Sequence, residues 1–359
     1  MHIRFNDEYE QRLRIAVIGC GGHALRNVFP TFQYAPVDLA AVCDLDTDRA
    51  TSAAKSFGAH AAYTDHVRML DEVRPDAVFI IAGYGETERP LYPTLAVQAL
   101  EAGAHAWIEK PPASSTAEIR TMMSAEKRTG RHIAVGMKKM FFPANVKARE
   151  LTRRDDFGPV TSVTCRYPQH LPPLEERHRP GAVKGFLDHL VHPVSLLVYL
   201  CGPIQSIYCE RGESGASVTS LRFRNGVIGA LHLSHGQSPM SPLERTEIVG
   251  FGGNVTVENN IRVTYHRPGA PVAGYGRESN WFGPDEMSAL HWEPEFSLGN
   301  LHNKSLFLLG YAPEILYFCE CILSGTAPTV AGLDDALEVL KVYEAYLQPS
   351  GTVVRIPER

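Results

Sequence analysis

The sequence predicts an α/β chain with two domains: a doubly wound parallel sheet in residues 1–137, and an α/β domain with a large, mostly antiparallel open sheet in residues 138–359. With 359 residues and 44% hydrophobic content, the chain is too long for one hydrophobic core to be expected. Up to about Met137, short apolar runs alternate with amphipathic helical stretches. From Val160 to His266, longer β-type segments separated by turns replace this alternation.

The first domain contains five short runs that are almost entirely apolar, as expected for strands buried on both faces of a parallel sheet. A helix between two of these runs carries clear end signals, because Ser115 and Glu118 form a capping box and Gly130 is suited to end it. This alternation of strands and helices is typical of βαβ units. The five predicted strands are Ile15–Ile18, Leu39–Val42, Ala77–Ile81, His105–Ile108 and His132–Val135.

The second domain is predicted to consist of strands joined by hairpins, with a few helices. Arg224-Asn225-Gly226 and Gly252-Gly253-Asn254 mark two hairpin turns, because Asn and Gly tolerate positive φ. Residues 268–303 are rich in Gly, Pro and Asn and are expected to form a loop. The predicted helices are residues 143–151, 187–200, 313–323 and 333–347.

Composition and charge argue against several classes of partner. The formal net charge is -5 and the charges are scattered, so no basic stripe is present that would neutralise nucleic-acid phosphates. Residues 1–10 lack the apolar segment of a secretory signal, and no apolar run reaches membrane-spanning length. We therefore expect neither nucleic acid nor membrane as a partner. The seven cysteines, an odd number without regular spacing, predict reduced thiols and a cytoplasmic location.

A glycine-rich segment, Gly19-Cys20-Gly21-Gly22-His23-Ala24, follows the first apolar run and opens a predicted helix. In this context Gly19 permits a tight turn, Gly21 lets the backbone approach a pyrophosphate, and Ala24 allows close packing of helix on strand. The free N–H groups at the helix N-terminus attract the anion. The segment therefore predicts a Rossmann domain, with Gly19, Gly21, Gly22, His23 and Ala24 as cofactor-binding residues.

Asp44 predicts which dinucleotide binds. It ends the second apolar run, where an acid can accept hydrogen bonds from the adenosine ribose hydroxyls. Its carboxylate would repel a 2′-phosphate, so NAD is favoured over NADP. Arg49 lies close enough in the sequence to weaken that preference.

Two further motifs resemble those of a known family. Glu109-Lys110-Pro111 follows the run His105–Ile108, and Asp188-His189-Leu190-Val191-His192 lies at the start of a predicted helix. Both are similar to signatures of the glucose–fructose oxidoreductase/inositol dehydrogenase (Gfo/Idh/MocA) family. The resemblance implies hydride transfer between a nicotinamide and a secondary alcohol or ketone of a sugar, cyclic polyol or sugar derivative. It also implies a homodimer or homotetramer, Glu109 and Lys110 at the cofactor, and a cis Lys110–Pro111 bond.

The sequence departs from the family pattern in the predicted substrate pocket. The segment Ala82-Gly83-Tyr84-Gly85 occupies a loop that usually leads to a histidine, and Tyr92 stands where that histidine would be. Leu190 replaces the middle glycine of the second motif, and Ser195 replaces an acid common three residues after the histidine. The pocket is therefore not a copy of that of inositol dehydrogenase.

The reaction needs a base for the hydroxyl proton, and Lys110 is the leading candidate. It is expected at the carboxyl end of a parallel strand, where open α/β sheets bind their ligands. Partial burial and a positively charged nicotinamide favour the neutral amine, which can accept a proton. Asp188 and His192 are four positions apart and share one helix face. His192 is the alternative proton-transfer group, and Asp188 holds the lysine or a substrate hydroxyl.

Other residues and functions remain open at this point. A metal is not expected, because His170 lies on a Pro-rich loop and His189 and His192 have no third ligand in register. One alternative function is a sugar lyase or epimerase that keeps its NAD, and another is an inactive dinucleotide-sensing regulator. An open, broadly apolar sheet face would favour a homo-oligomer. The predicted substrate-binding residues are Tyr92, Lys138, His170 and His189.

Overall fold

The computed structural model describes residues 8–267, 289–294 and 304–358. The prediction that residues 1–10 do not form a secretory signal therefore falls mostly on residues outside the described ranges. The described chain divides into two compact units. The first contains residues up to Phe141, the segment Arg179–His192 and the residues from 304 to 344. The second contains Phe142–His178, residues 193–294 and residues 345–358.

The first unit is built on a parallel sheet with the strand order β3-β2-β1-β4-β5-β6. All five strands predicted from the sequence are present, with ends that differ by at most two residues. The strand β3 was not predicted; it has three residues, two half-exposed and one exposed. The strands are β1 (Leu13–Ile18), β2 (Val37–Cys43), β3 (Ala61–Tyr63), β4 (Ala77–Ile80), β5 (His105–Ile108) and β6 (Ile133–Val135).

Helices cover this sheet, and their ends follow from local chemistry. The chain after the glycine-rich turn forms a π-helical segment, Ala24–Val28, and then a 3₁₀ segment, Phe29–Gln33. Ser115 caps the helix between β5 and β6 and Gly130 ends it in a left-handed conformation, which confirms the predicted end signals. The regular helices are α1 (Thr47–Phe57), α2 (His66–Val73), α3 (Tyr92–Glu101) and α4 (Thr116–Thr129).

The second unit is built on a large sheet with the order β14-β13-β12-β11-β7-β10-β9-β8-β15. Its neighbours pair antiparallel except β7 with β10, so the predicted mostly antiparallel sheet is confirmed. The strands are β7 (Val160–Tyr167), β8 (Ile204–Arg211), β9 (Ser217–Phe223), β10 (Ile228–Leu233), β11 (Arg245–Gly250), β12 (Asn254–Glu258), β13 (Arg262–His266), β14 (Leu290–Trp292) and β15 (Val353–Arg355).

Both predicted hairpin turns join neighbouring strands of this sheet. Gly226 has φ +89° between β9 and β10, and Gly252 has φ +138° between β11 and β12. Most of the loop predicted for residues 268–303 lies outside the described residues, and β14 is a strand within its described part.

The remaining helices match the four predicted in the second part of the sequence and add two short ones. The helix α7 starts at Asp188 and its first turn belongs to the first unit. These helices are α5 (Pro143–Thr152), α6 (Leu174–Arg177), α7 (Asp188–Cys201), α8 (Lys304–Leu308), α9 (Tyr311–Leu323) and α10 (Leu333–Tyr346).

The outer face of the large sheet corrects one expectation. The strand register aligns a row of mostly small and polar side chains across it, and most of them are exposed or half-exposed. The face is therefore not broadly apolar, and an apolar sheet face cannot be the physical reason for a homo-oligomer. The row contains Tyr208, Ser220, Ala230, Thr164, Glu247, Thr256 and Thr264.

Buried apolar side chains from β1, β2, β4 and the segment 24–33 form a core cluster in the first unit, together with part of α9. All seven cysteines are buried and carry free thiols. Among the described helices, none is both long enough and apolar enough to cross a membrane.

Candidate active site

A cleft of about 1020 Å³ opens at the carboxyl ends of the parallel strands in the first unit. It lies where the strand order reverses between β1 and β4, which is the usual ligand position in an open α/β sheet. The turn after β1 and the residues that follow β2, β4 and β5 line it. Asp44, Tyr84, Lys110 and Asp188 all reach this cleft.

The glycine-rich turn is shaped for close approach. Gly19 has φ +99°, and a Cβ there would lie 2.3 Å from the carbonyl oxygen of Ile81, so no other residue fits without a shift. A Cβ on Gly21 would meet nothing within 4 Å, which leaves open space beside the backbone. Ala24 is completely buried. The turn therefore fits the pyrophosphate of a dinucleotide, as the sequence motif predicts.

Asp44 stands at the end of β2 with its carboxylate fixed by the backbone. One oxygen accepts a hydrogen bond from the Cys20 amide at 2.8 Å, and the other accepts from the Asp46 amide at 3.0 Å. Arg49 also lines the cleft, but its Nε lies 3.1 Å from the Asp46 carboxylate. Asp44 thus presents a positioned negative charge, while the nearby arginine is paired.

Glu109 connects the glycine-rich turn to the end of β5. Its buried carboxylate contacts Nε2 of His23 at 2.7 Å and accepts a hydrogen bond from the Lys110 amide at 2.9 Å. Asn27 contacts the other ring nitrogen of His23 at 3.2 Å. Burial raises the pKa of Glu109, but the His23 hydrogen bond and charge and the Lys110 charge outweigh burial and leave it below its usual value. Glu109 is therefore a stable anion behind Lys110.

Lys110 and Asp188 meet in the cleft. The Lys110 ammonium lies 2.9 Å from each oxygen of the Asp188 carboxylate, and both side chains are about one-fifth exposed. The Lys110–Pro111 peptide bond is cis. The structure thus brings together the amine and the carboxylate that lie 78 positions apart in the sequence.

His192 lies one helical turn beyond Asp188 and is half-buried. Burial and the nearby charges of Lys110, Lys139 and Lys138 hold the pKa of this imidazole well below its usual value. His192 is therefore a neutral group at physiological pH. Lys110 and Asp188 line the cleft, whereas His192 is not one of the described residues that line it.

The other predicted substrate residues occupy different positions. Tyr92 lines the cleft, but its side chain is buried and its hydroxyl donates to the carbonyl oxygen of Ala82, so it holds the loop after β4. Lys138 donates to the Tyr311 hydroxyl at 2.8 Å, and burial lowers the pKa of its amine. His189 is exposed on the first turn of α7. His170 lies in the second unit, with its ring 5.5 Å from that of His235.

The contact of Tyr84 with Asp188 was not predicted from the sequence. Its hydroxyl donates a hydrogen bond to Asp188 at 3.2 Å, across 104 positions of sequence. The departure from the family pattern at residues 82–85 was the available signal, but no local spacing connects this loop to Asp188. In the described part of the chain, no three His, Cys, Asp or Glu side chains are grouped so that they could hold a metal ion.

Comparison with known families identifies both halves of the chain. The sequence profile described as "Oxidoreductase family, NAD-binding Rossmann fold" matches residues 13–137. The profile described as "GFO/IDH/MocA C-terminal domain" matches residues 145–256.

Individual relatives extend over nearly the whole chain. D-apiose dehydrogenase from Paraburkholderia graminis is 30% identical over 355 residues, covering 94% of this chain and 88% of that protein. The scyllo-inositol 2-dehydrogenase (NAD(+)) of Bacillus subtilis (strain 168) is 23% identical over 344 residues, covering 92% of each. A solved levoglucosan dehydrogenase, in complex with NADH and levoglucosan, has the same fold with a TM-score of 0.76 at 18% identity, covering 97% of this chain and 100% of that one.

Proposed function

This chain belongs to the Gfo/Idh/MocA family of oxidoreductases, and from that premise we propose that it transfers hydride between NAD and a secondary alcohol or ketone of a sugar, cyclic polyol or sugar derivative. It is a nicotinamide-dependent dehydrogenase or reductase that acts on CH–OH groups. The observation that carries the proposal is the Lys110–Asp188 pair in the cleft that also contains the glycine-rich turn. An acid–base pair and a dinucleotide site in one cleft are what such a reaction requires.

Cofactor binding is assigned to residues around the turn after β1. Gly19 and Gly21 give the backbone its close approach, with Gly22, His23 and Ala24 completing the turn, and the ribose hydroxyls are the ligands of Asp44. When bound, the nicotinamide supplies the hydride acceptor or donor. We propose NAD rather than NADP, because the fixed Asp44 charge opposes a 2′-phosphate and Arg49 is already paired with Asp46.

We propose Lys110 as the proton-transfer group. In the oxidation direction its amine takes the hydroxyl proton of the substrate, and in the reduction direction its ammonium returns that proton to the carbonyl oxygen. Asp188 holds the amine in place through two contacts of 2.9 Å and stabilises its protonated form. His192 supports the site as a half-buried neutral imidazole rather than as the base.

The proposal is tested by a panel of sugars and polyols, with scyllo-inositol, D-apiose and levoglucosan among them, and NADH absorbance as the readout. We expect NAD-linked turnover on at least one compound, and a decrease in kcat of about 10²–10⁴-fold in Lys110→Ala. Lys127→Ala, an exposed lysine on α4, is the matched control and should leave kcat unchanged.

The panel also separates the alternative functions. Product formation without any change in NADH would identify a lyase or epimerase that keeps its cofactor. Tight NAD binding with no product from any compound would identify a dinucleotide-sensing regulator. Full turnover by Lys110→Ala would overturn the assignment of Lys110.

The domain roles, assembly and location complete the proposal. We propose that residues 1–137 bind the cofactor and residues 138–359 supply substrate binding and oligomerisation. The implied assembly is a homodimer or homotetramer. Seven buried free thiols are compatible with a reducing cytoplasm, which remains our prediction for its location.

A further inference from the structure

We propose that Tyr84 is a positioning residue of the acid–base pair: its hydroxyl shares the Asp188 carboxylate with Lys110 and thereby sets how readily Lys110 gives up its proton. This inference goes beyond the hydride-transfer reaction, although its meaning for catalysis rests on that proposed function. Tyr84 lies on the loop after β4, in a segment where the sequence departs from its family. The loop thus gives the site a third polar group.

The contacts place the hydroxyl in direct competition with the lysine. Tyr84 donates to Oδ1 of Asp188 at 3.2 Å, and Lys110 contacts that same oxygen at 2.9 Å. The second oxygen of Asp188 also contacts the Lys110 ammonium at 2.9 Å. When two donors share one carboxylate oxygen, each forms a weaker hydrogen bond than a single donor would. Tyr84 therefore weakens the interaction between Asp188 and the Lys110 ammonium.

Tyr84 keeps its own proton in this arrangement. Burial and the adjacent Asp188 charge raise the pKa of the phenol well above its usual value. Its hydroxyl therefore acts as a donor toward the carboxylate over the whole working pH range, and the proton that moves in the reaction belongs to Lys110. Glu109 and Tyr92 also interact electrostatically with Tyr84, and Lys184 lies beside its ring. The charges of Lys138, Lys139 and His189 act on the neighbouring His192.

The loop holds the tyrosine through bonds at both of its ends. Tyr84 forms a backbone bridge with Pro90, and the Gly85 amide donates to the Arg89 carbonyl at 2.9 Å. At the base of the loop the Tyr92 hydroxyl donates to Ala82. The Lys184 ammonium lies 5.9 Å from the centre of the Tyr84 ring. Tyr84 is therefore held toward Asp188 by a closed loop.

The test measures the protonation of Lys110 directly and needs neither substrate nor cofactor. Trace acetic anhydride acetylates only neutral amines, so the rate at Lys110 is followed by peptide mass spectrometry between pH 6 and 11, with Lys127 as internal reference. The midpoint of the curve reports protonation and its plateau reports access. In Tyr84→Phe we expect the midpoint of the Lys110 curve to move upward by about 0.5–1 pH unit, because Asp188 then no longer accepts a hydrogen bond from Tyr84 and binds the Lys110 ammonium more strongly.

Two further variants make the result decisive. Tyr63→Phe removes a similar bond, from a tyrosine hydroxyl to the Glu72 carboxylate at 3.0 Å, and should leave the Lys110 midpoint unchanged. Asp188→Asn should move the midpoint downward, and adding Tyr84→Phe to it should have no further effect. An unchanged midpoint in Tyr84→Phe, or a shift that persists in the Asp188→Asn background, would overturn the proposal. Because the assay involves no hydride transfer, it can fail or succeed independently of the proposed function.

Discussion

At the scale of single residues, Asp44 shows how one side chain can serve folding and specificity together. Its two oxygens hold the Cys20 and Asp46 amides, so the carboxylate shapes the rim of the cleft as well as charging it. Arg49 would suit a 2′-phosphate, but Asp46 binds it at 3.1 Å. Asp44 and Asp46 therefore both favour NAD, the cofactor that lacks the 2′-phosphate.

Substituting both acids should reverse the cofactor preference. Asp44→Asn removes the repulsion and Asp46→Asn releases Arg49 while keeping a good helix N-cap. We expect the ratio of NADP to NAD affinity to rise about tenfold in Asp44→Asn and further in the double variant, because one charged hydrogen bond is worth about 1.5–3 kcal/mol. Calorimetric titration with each dinucleotide measures this ratio. Asp48→Asn is the control, and an equal rise there would contradict the role of Asp44.

At the scale of elements, the turn after β1 is fixed by close packing against the end of β4. Gly19 combines a left-handed φ with a contact that leaves no room for a Cβ. Gly103, at the end of α3, has a similar φ of +90°, but a Cβ there would meet nothing within 4 Å. A side chain at Gly103 would cost backbone strain alone, whereas a side chain at Gly19 would cost backbone strain and steric overlap.

Gly19→Ala should destabilise the protein much more than Gly103→Ala. For Gly103 we expect about 1 kcal/mol, the cost of placing alanine in a left-handed conformation. For Gly19 the overlap with Ile81 adds about 1–3 kcal/mol. Urea unfolding followed by circular dichroism gives both free energies, and equal losses in the two variants would show that the Ile81 carbonyl yields without cost.

Helix α4 carries a carboxyl group that makes stability depend on pH. Burial and the nearby Asp334 raise the pKa of Glu126 to about 7, although its hydrogen bond from the Ile133 amide opposes this shift. The unfolded chain loses this proton near pH 4.5, before the folded chain does. As pH rises from about 4.5 to 7, the folded state therefore loses stability relative to the unfolded state.

Glu126→Gln should remove this loss, because glutamine does not ionise and its oxygen can still accept from Ile133. One pKa unit corresponds to about 1.4 kcal/mol, and partial exposure of the side chain reduces the effect. We expect the variant to gain about 1–2 kcal/mol over the wild type between pH 4 and pH 8. Urea unfolding at both pH values measures the gain, and a pH-independent difference would rule out titration of Glu126 as the cause.

At the scale of the whole molecule, the fold was predictable because its signals are local and repeated. Apolar runs, the Ser115 cap and the Asn-Gly turn each act within a few residues, and together they specify both sheets. The strand β3 was not predicted because three residues, none of them buried, are too few to show a hydrophobic period.

Only those residues of the candidate site that lie in a recognisable sequence motif could be predicted. Lys110 and Asp188 lie in recognisable segments, so their meeting was expected. The Tyr84 hydroxyl reaches a partner 104 positions away, and neither composition nor spacing encodes such a contact. The lowered pKa of His192 likewise depends on tertiary packing and on lysines from other segments, which the sequence pattern of one helix does not contain.

Assembly is a property of the whole molecule, and the outer face of the large sheet, although its side chains are small and polar rather than apolar, is the surface on which we still expect it. Light scattering on the purified chain should give the mass of a dimer or tetramer. Ala230 is in the middle part of the polar row, so Ala230→Glu should lower that mass, to one chain from a dimer or to a smaller assembly from a tetramer, by burying a charge. Lys127→Glu on α4 is the control. A wild-type mass of a single chain would refute the predicted assembly.

The buried cysteines have a practical consequence for following the loop that carries Tyr84. Burial raises the pKa of Cys20 and Cys201 to about 12, and all seven thiols are shielded from solvent. A cysteine introduced at the exposed Thr87 would then react far faster with maleimide dyes than any native thiol. Fluorescent labelling of this one position needs no cysteine-free background, so motion of the loop tip can be recorded in the otherwise native enzyme.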